Sequence, residues 1–293
     1  MLYNSGEVSF LESINGTRVH YASTDGSFFF HHVRDERPDQ ENFKLHYEKG
    51  YEIYMFVSGT GSYTVEGSRY ELEPYSILMM NSKELHVLNI SPESPYERMV
   101  LTINENFLPP FMAGGVDFFR TIKYRKLGQD NKIKAETVTE SGLLILFENL
   151  QNLLERESAE NEIVAKCVIV QILATINQIA ETALPKTPVK ANRKIGTMLE
   201  YINTHLEQPL TLDSLSERFY LTKYHLCRTF KETTGFSVNQ YITYKRIRLA
   251  DERMMEGYSP TQACFMAGFN SYSNFFKSYR KLTGKSPRSG QVK

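Results

Sequence analysis

The sequence of 293 residues has few cysteines and none in a metal-binding arrangement. Cys167, Cys227 and Cys264 stand far apart with no Cys-x-x-Cys pair. That argues against a disulfide framework or a cysteine zinc site and suits a reducing compartment. No run of 18 apolar residues occurs, so no membrane span is expected. Met1–Phe10 carries acidic Glu7 and lacks a basic start and an apolar stretch, so a secretory signal is not expected. The expected location is the cytoplasm. No glycine-rich phosphate loop is recognisable, because Gly59-x-Gly61 falls in a hairpin with no helix after it. A nucleophile elbow, a metalloprotease helix and a paired-carboxylate arrangement are also missing. Nothing argues for an enzyme, and no cofactor is expected. What is present, 41% hydrophobic and 23% charged residues, excludes a disordered chain.

The formal net charge is zero, yet it is unevenly spread. Residues 190–293 hold 17 Lys and Arg against 8 Asp and Glu, a balance of +9, which leaves −9 for residues 1–189. Such asymmetry suggests that one part binds a polyanion and the other does not.

The chain reads as a two-domain α+β protein. Ser27–Val33, Tyr51–Val57, Gly61–Val65, Ser76–Met80 and Glu97–Ile103 are short, aromatic and β-branched, and predict strands of a barrel or sandwich over residues 1–110. Val65–Arg69 reads as a hairpin turn in which Gly67 is free to take positive φ. Ser141–Glu155 and Glu162–Ile179 carry a helical apolar period, so residues 111–182 are expected to be a helical region. Residues 183–190, with two prolines and no period, are the expected linker. From residue 191 to 293 the pattern is all-helical. Thr211, Thr222, Ser237 and Ser259 are expected N-caps, the last two with Gln three residues on, and Pro260 sits at N1.

Within the helical part an internal repeat carries chemistry. At an offset of 49 residues, Leu226 falls on Phe275, Arg228 on Lys277, Phe230 on Tyr279 and Lys231 on Arg280, with Thr234-Gly235 on Thr283-Gly284. Each copy follows a short helix and a turn of three or four residues, with Tyr220 in the first where the second has Gly268. This predicts two helix-turn-helix motifs, at about 211–234 and 259–283. Leu226, Phe230, Phe275 and Tyr279 are expected to bury inward. An α-helix fits the DNA major groove, and two helices held by one connecting helix can enter successive grooves about one helical turn apart.

Residues 192–288 resemble the DNA-binding domain of the AraC/XylS family of bacterial transcription regulators. The resemblance rests on Leu212-x2-Leu215, Leu226-x-Arg228-x-Phe230-Lys231, Gly235-x-Ser237, Tyr241-Ile242, Arg246-Ile247-x-x-Ala250, Gly268-Phe269, Phe275, Gly284 and Ser286-Pro287. Ser216 and Cys264 stand where alanine is usual, and Gly290-Gln291 replaces a final Tyr-Arg. The resemblance implies DNA contacts at Lys223, Tyr224, Cys227 and Arg228, then at Tyr272, Ser273 and Lys277, with Lys231, Lys245 and Arg280 available to phosphates. It further implies promoter DNA as partner, a homodimer formed through the helices at about 135–182, and RNA polymerase as a partner if the protein is an activator.

His46-Tyr-Glu48-Lys-Gly-Tyr-Glu52, then Gly59-x-Gly61, Pro74 and His86 resemble the cupin-like sensor barrel of the same family. In metal-binding cupins two histidines, a glutamate and a distant histidine hold one ion; here Glu48 replaces the second histidine. Three readings stay open: a metal site, which would make the chain a metal sensor or a cupin enzyme with a DNA-binding tail; a metal-free effector pocket; and polar groups satisfied within the barrel wall. The pocket is the favoured expectation, with His46, Glu52, Tyr54 and His86 as effector-binding residues and His32 and Arg34 as weaker candidates. Family analogy implies a carbohydrate-like or other small metabolite. An architectural DNA binder is a further alternative.

Overall fold

The computed structural model describes residues 16–40, 43, 50–107, 115–182 and 192–287. The chain divides into two compact units, Met1–Val65 with Arg69–Val189, and Lys190–Lys293 with Glu66–Ser68. The expected linker, residues 183–190, lies outside the described residues, as do His46 and Glu48.

The first unit is β-rich. Its strands are β1 (Thr17–Ala22), β2 (Phe28–Asp35), β3 (Tyr51–Ser58), β4 (Gly61–Val65), β5 (Ser68–Glu71), β6 (Ile77–Met80), β7 (His86–Ile90), β8 (Tyr96–Ile103) and β9 (Lys132–Ile133). They form a six-stranded sheet ordered β1-β2-β8-β3-β6-β9 and a three-stranded sheet ordered β5-β4-β7. Each strand expected from the sequence is present within two residues, whereas β1, β5, β7 and β9 were not anticipated. These four are short or polar, and only their pairing with a neighbour defines them. The β4–β5 turn places Glu66 and Gly67 at φ 48° and 78°, the positive pair that two-residue hairpins favour.

Alternation along the central strands builds two cores. Ile53, Met55, Met99 and Leu101 face a cluster shared with helices α3 (Leu143–Leu154) and α4 (Ala159–Thr182). Tyr54, Phe56, Tyr96 and Val100 face the other way and pack with Tyr63, Val65, Leu88 and Ile90 of the smaller sheet. Two short helices, α1 (Arg120–Tyr124) and α2 (Ala135–Glu140), complete this unit. By length and composition α4 could cross a membrane, contrary to the expectation that no segment could. It serves instead as a core helix: Ala165, Ile169, Ile172, Leu173 and Ile176 are buried against the sheet.

The second unit is all-α: α5 (Arg193–Thr204), α6 (Leu212–Arg218), α7 (Lys223–Thr234), α8 (Val238–Met255), α9 (Pro260–Met266) and α10 (Tyr272–Thr283). The four expected caps form. Thr211 and Thr222 accept from the backbone N–H of Ser214 and His225, and Ser237 and Ser259 make capping boxes with Gln240 and Gln262. Gly235 and Gly284 end α7 and α10 in the left-handed conformation, where the missing Cβ removes the steric penalty.

Candidate functional site

Two helix-turn-helix units stand on either side of α8. In the first, α6 leads through residues 219–222 to α7; in the second, α9 leads through residues 267–271 to α10. The second turn is longer by one residue, so the repeat runs at an offset of 48 in the leading helices and 49 in the following ones. Leu226, Phe230, Phe275 and Tyr279 are buried. Phe230 meets the Tyr241 ring edge-on at 5.6 Å. Phe275 and Tyr279 join Ile247, Ala250, Met254, Ala263, Cys264 and Ala267 in one cluster. The inward side of each following helix is therefore spent on packing, and its other side is left for a ligand.

That other side is basic and polar. Lys223, Tyr224, Arg228 and Lys231 on α7 are exposed, and Cys227 is half-buried. Lys223 pairs with Asp213, while the Arg228 guanidinium lies 6.0 Å from the Tyr224 ring and its Nε 3.7 Å from Glu232. Exposed pairs of this kind contribute ~0–1 kcal/mol and are readily exchanged for a phosphate or a base. On α10, Ser273, Lys277 and Arg280 are exposed. Tyr272 is half-buried, its ring packed on Phe275 at 5.8 Å. Lys245, expected at phosphate, lies on α8 and not on either of the following helices. Sequence reasoning missed His225 and Asn274, both exposed on the same faces. The repeat already paired them at the offset of 49.

The second turn opens into a cavity of about 490 Å³ lined by Thr243, Arg246, Asn270, Ser271, Asn274 and Lys277, among others. Arg246 holds this corner in place. Its Nε donates to the Leu206 carbonyl at 2.9 Å and its Nη2 to that of Gln208 at 2.7 Å, and burial lowers its pKa. Gly268 sits between them at φ 86°, where a Cβ would stand 2.2 Å from the Leu206 oxygen.

In the β-rich unit, Glu52, Tyr54 and His86 are all buried. Glu52 pairs in register with Met80 and Tyr54 with Leu78, so both side chains lie on the face between the two sheets. The Tyr54 and Tyr96 hydroxyls are 2.8 Å apart. Burial pushes Tyr96 up to about 12 and Tyr54 well above its ordinary value, so both stay neutral near pH 7. His86 lies 5.6 Å from the Tyr63 ring, and its Nδ1 is 3.1 Å from the Glu84 carbonyl. His32 and Arg34 face elsewhere. His32 bridges Glu97 and Gln151 at 2.8 and 2.9 Å, and Arg34 with Arg18 also pairs with Glu97. This ion cluster holds β2 to β8 and α3, so the two weaker candidates leave the pocket.

The AraC-like ligand binding domain matches residues 31–173, and a helix-turn-helix domain matches residues 215–290. The multiple antibiotic resistance protein MarA of Salmonella typhimurium is 30% identical over 33% of this chain and 78% of its own length. LumQ of Photobacterium leiognathi is 24% identical over 83% of this chain and 89% of its own. The transcriptional activator RhaS of Escherichia coli is 20% identical over 87% and 89%. The chain belongs to the AraC family of transcriptional regulators.

Two departures from the AraC-type pattern are accommodated by packing. Cys264 is buried in the α8–α9–α10 cluster, and burial raises its thiol pKa, so it serves as a small apolar side chain. Ser216 satisfies its hydroxyl on the Asp213 carbonyl at 2.9 Å. The third departure, at Gly290-Gln291, lies outside the described residues.

Proposed function

We propose that this AraC-family regulator reads promoter DNA with α7 and α10 in two major grooves about one helical turn apart, under the control of a small-molecule effector bound between the sheets of its N-terminal unit. The observation that carries the DNA reading is the matched pair of helices, each with a buried apolar side and an exposed side holding Lys, Arg, Tyr, Ser or Asn. Arg228 and Lys277 occupy equivalent positions and are suited to guanine, and Asn274 to adenine. Lys231 and Arg280, one turn further along, would set register on phosphates.

The effector reading draws its support from Glu52, Tyr54 and His86, polar groups buried between the sheets of a unit that matches the AraC-like ligand binding domain. Effector control requires only that the ligand favour one functional state, typically by ~1–3 kcal/mol of coupling. A homodimer through α3 and α4 is the proposed assembly. Its support is Ile145, Ile163 and Val164, three large apolar side chains exposed on those helices. The cytoplasm is the proposed site of action and, for an activator, RNA polymerase a further partner.

Selection of duplexes from a random pool by the full-length protein at near-physiological salt tests the DNA reading. Two enriched blocks about one helical turn apart are expected. Binding without sequence enrichment would point instead to an architectural role.

A further inference from the structure

The interior of the β-rich unit holds a cation that no carboxylate among the described residues pairs with. Arg98, on β8, is 6% exposed. Its neighbours by the period of two, Tyr96 and Val100, belong to the core between the sheets, and it pairs in register with Phe56 of that core. The guanidinium carbon lies 4.9 Å from the centre of the Tyr96 ring and 5.3 Å from that of Phe43. Its Nη1 is buried and has no hydrogen-bond partner; the Tyr96 hydroxyl is its polar neighbour, and among the described residues it forms no ion pair with a carboxylate. Arg125 of the same unit, whose side chain is 7% exposed, is treated differently. Arg125 grips Glu84 with both terminal nitrogens, at 2.6 and 2.5 Å.

A buried guanidinium without a carboxylate keeps the desolvation penalty and recovers it only partly from aromatic faces. An arginine retained for stability alone would be paired like Arg125. Its fork of N–H donors matches the two oxygens of a carboxylate, and the surrounding Phe43, Tyr54, Phe56, Tyr63 and Tyr96 offer aromatic faces and neutral hydroxyls to the rest of a small molecule. We infer that the effector is a small organic carboxylate and that Arg98 binds its anionic group. This rests on the proposal that the space between the two sheets is the effector site. It replaces a neutral sugar by an acid as the ligand class.

The test is thermal denaturation of the full-length protein against a panel of small carboxylates, each paired with its primary amide, together with neutral monosaccharides and inorganic sulfate. At least one carboxylate is expected to raise Tm by ~5 °C at a hundredfold excess over its Kd, its amide is not, and Arg98→Gln should abolish the shift while Arg98→Lys retains part of it. Without ligand, Arg98→Gln should melt no lower than the parent, since it removes an unpaired buried charge; a marked loss of Tm would make Arg98 a structural residue and overturn the assignment. An Arg98-dependent shift with sulfate as large as with any carboxylate would mean a general anion hole and also overturn it. Stabilisation by neutral compounds alone would refute the carboxylate and leave the effector site standing. No shift with any compound would remove both.

Discussion

Tyr220 and Gly268 occupy the same place in the two helix-turn-helix units, the second residue after the leading helix, and both have positive φ, 52° and 86°. The two sites differ in their surroundings. Tyr220 is 92% exposed, so only its own backbone conformation is costly, whereas Gly268 lies against the Leu206 carbonyl and the Arg246 guanidinium.

Gly268→Ala should therefore destabilise the C-terminal unit by at least ~2 kcal/mol, since strain and a backbone clash act together. Tyr220→Gly should stay within ~1 kcal/mol of the parent, because relief of strain offsets added chain entropy. Chemical denaturation of both variants gives the comparison. Equal losses would mean that the surroundings of the two positions do not distinguish them as described.

Arg228→Ala should relax base preference at one position of the selected site and cost ~1–3 kcal/mol there. Lys231→Ala and Arg280→Ala should weaken binding uniformly across sequences and lower the salt dependence by about one phosphate contact each. Binding to single-base variants of the site, repeated at several salt concentrations, separates the two patterns. An unchanged preference in Arg228→Ala would remove it from the reading set.

Glu162 ties α4 to the start of the sheet. It accepts from Tyr21 Oη at 2.7 Å, from Thr24 N and Oγ1 at 3.1 and 3.0 Å, and pairs with Lys166 at 3.1 Å. Burial alone would raise its pKa, but the hydrogen bonds from Tyr21, Thr24 and Lys166 outweigh that and hold it below the ordinary value. A carboxyl depressed in the folded state stabilises fully above its unfolded pKa of about 4.3 and loses that contribution as pH falls through the folded value. The Tm difference between the parent and Glu162→Gln should be constant from pH 8 to about 5 and shrink below about pH 4. Calorimetry at several pH values measures it, and a difference that grows in acid would reverse the sign argued here.

If α3 and α4 form the dimer face, Ile163→Lys should raise the dimer dissociation constant at least ~10-fold, since burying one isoleucine contributes ~1.5–3 kcal/mol. Sedimentation velocity over a concentration series reads this. A parent that stays monomeric at micromolar concentration would exclude the face as a stable interface.

The DNA-reading half was legible because its signals are local. Caps, a proline at N1, terminal glycines and a helical apolar period each act within a few residues, and α8 begins directly after Ser237, one of the expected caps. The β-rich half was legible only in part. Strands rich in large apolar residues announced themselves, but β7, which carries His86, has the alternating burial of a small-sheet strand and no strong composition.

The sequence by itself determined the two-part organisation, the internal repeat and the alternation that turns Glu52 and Tyr54 to one face, because periodicity and charge balance are properties of order along the chain. Only the tertiary structure decided which polar groups are satisfied. It joined His32 and Arg34 to Glu97, left Arg98 between two aromatic rings, and brought Arg246 to the Leu206 carbonyl forty residues away. Such pairings depend on which strands become neighbours and which loops meet a helix, and no local pattern encodes that distance.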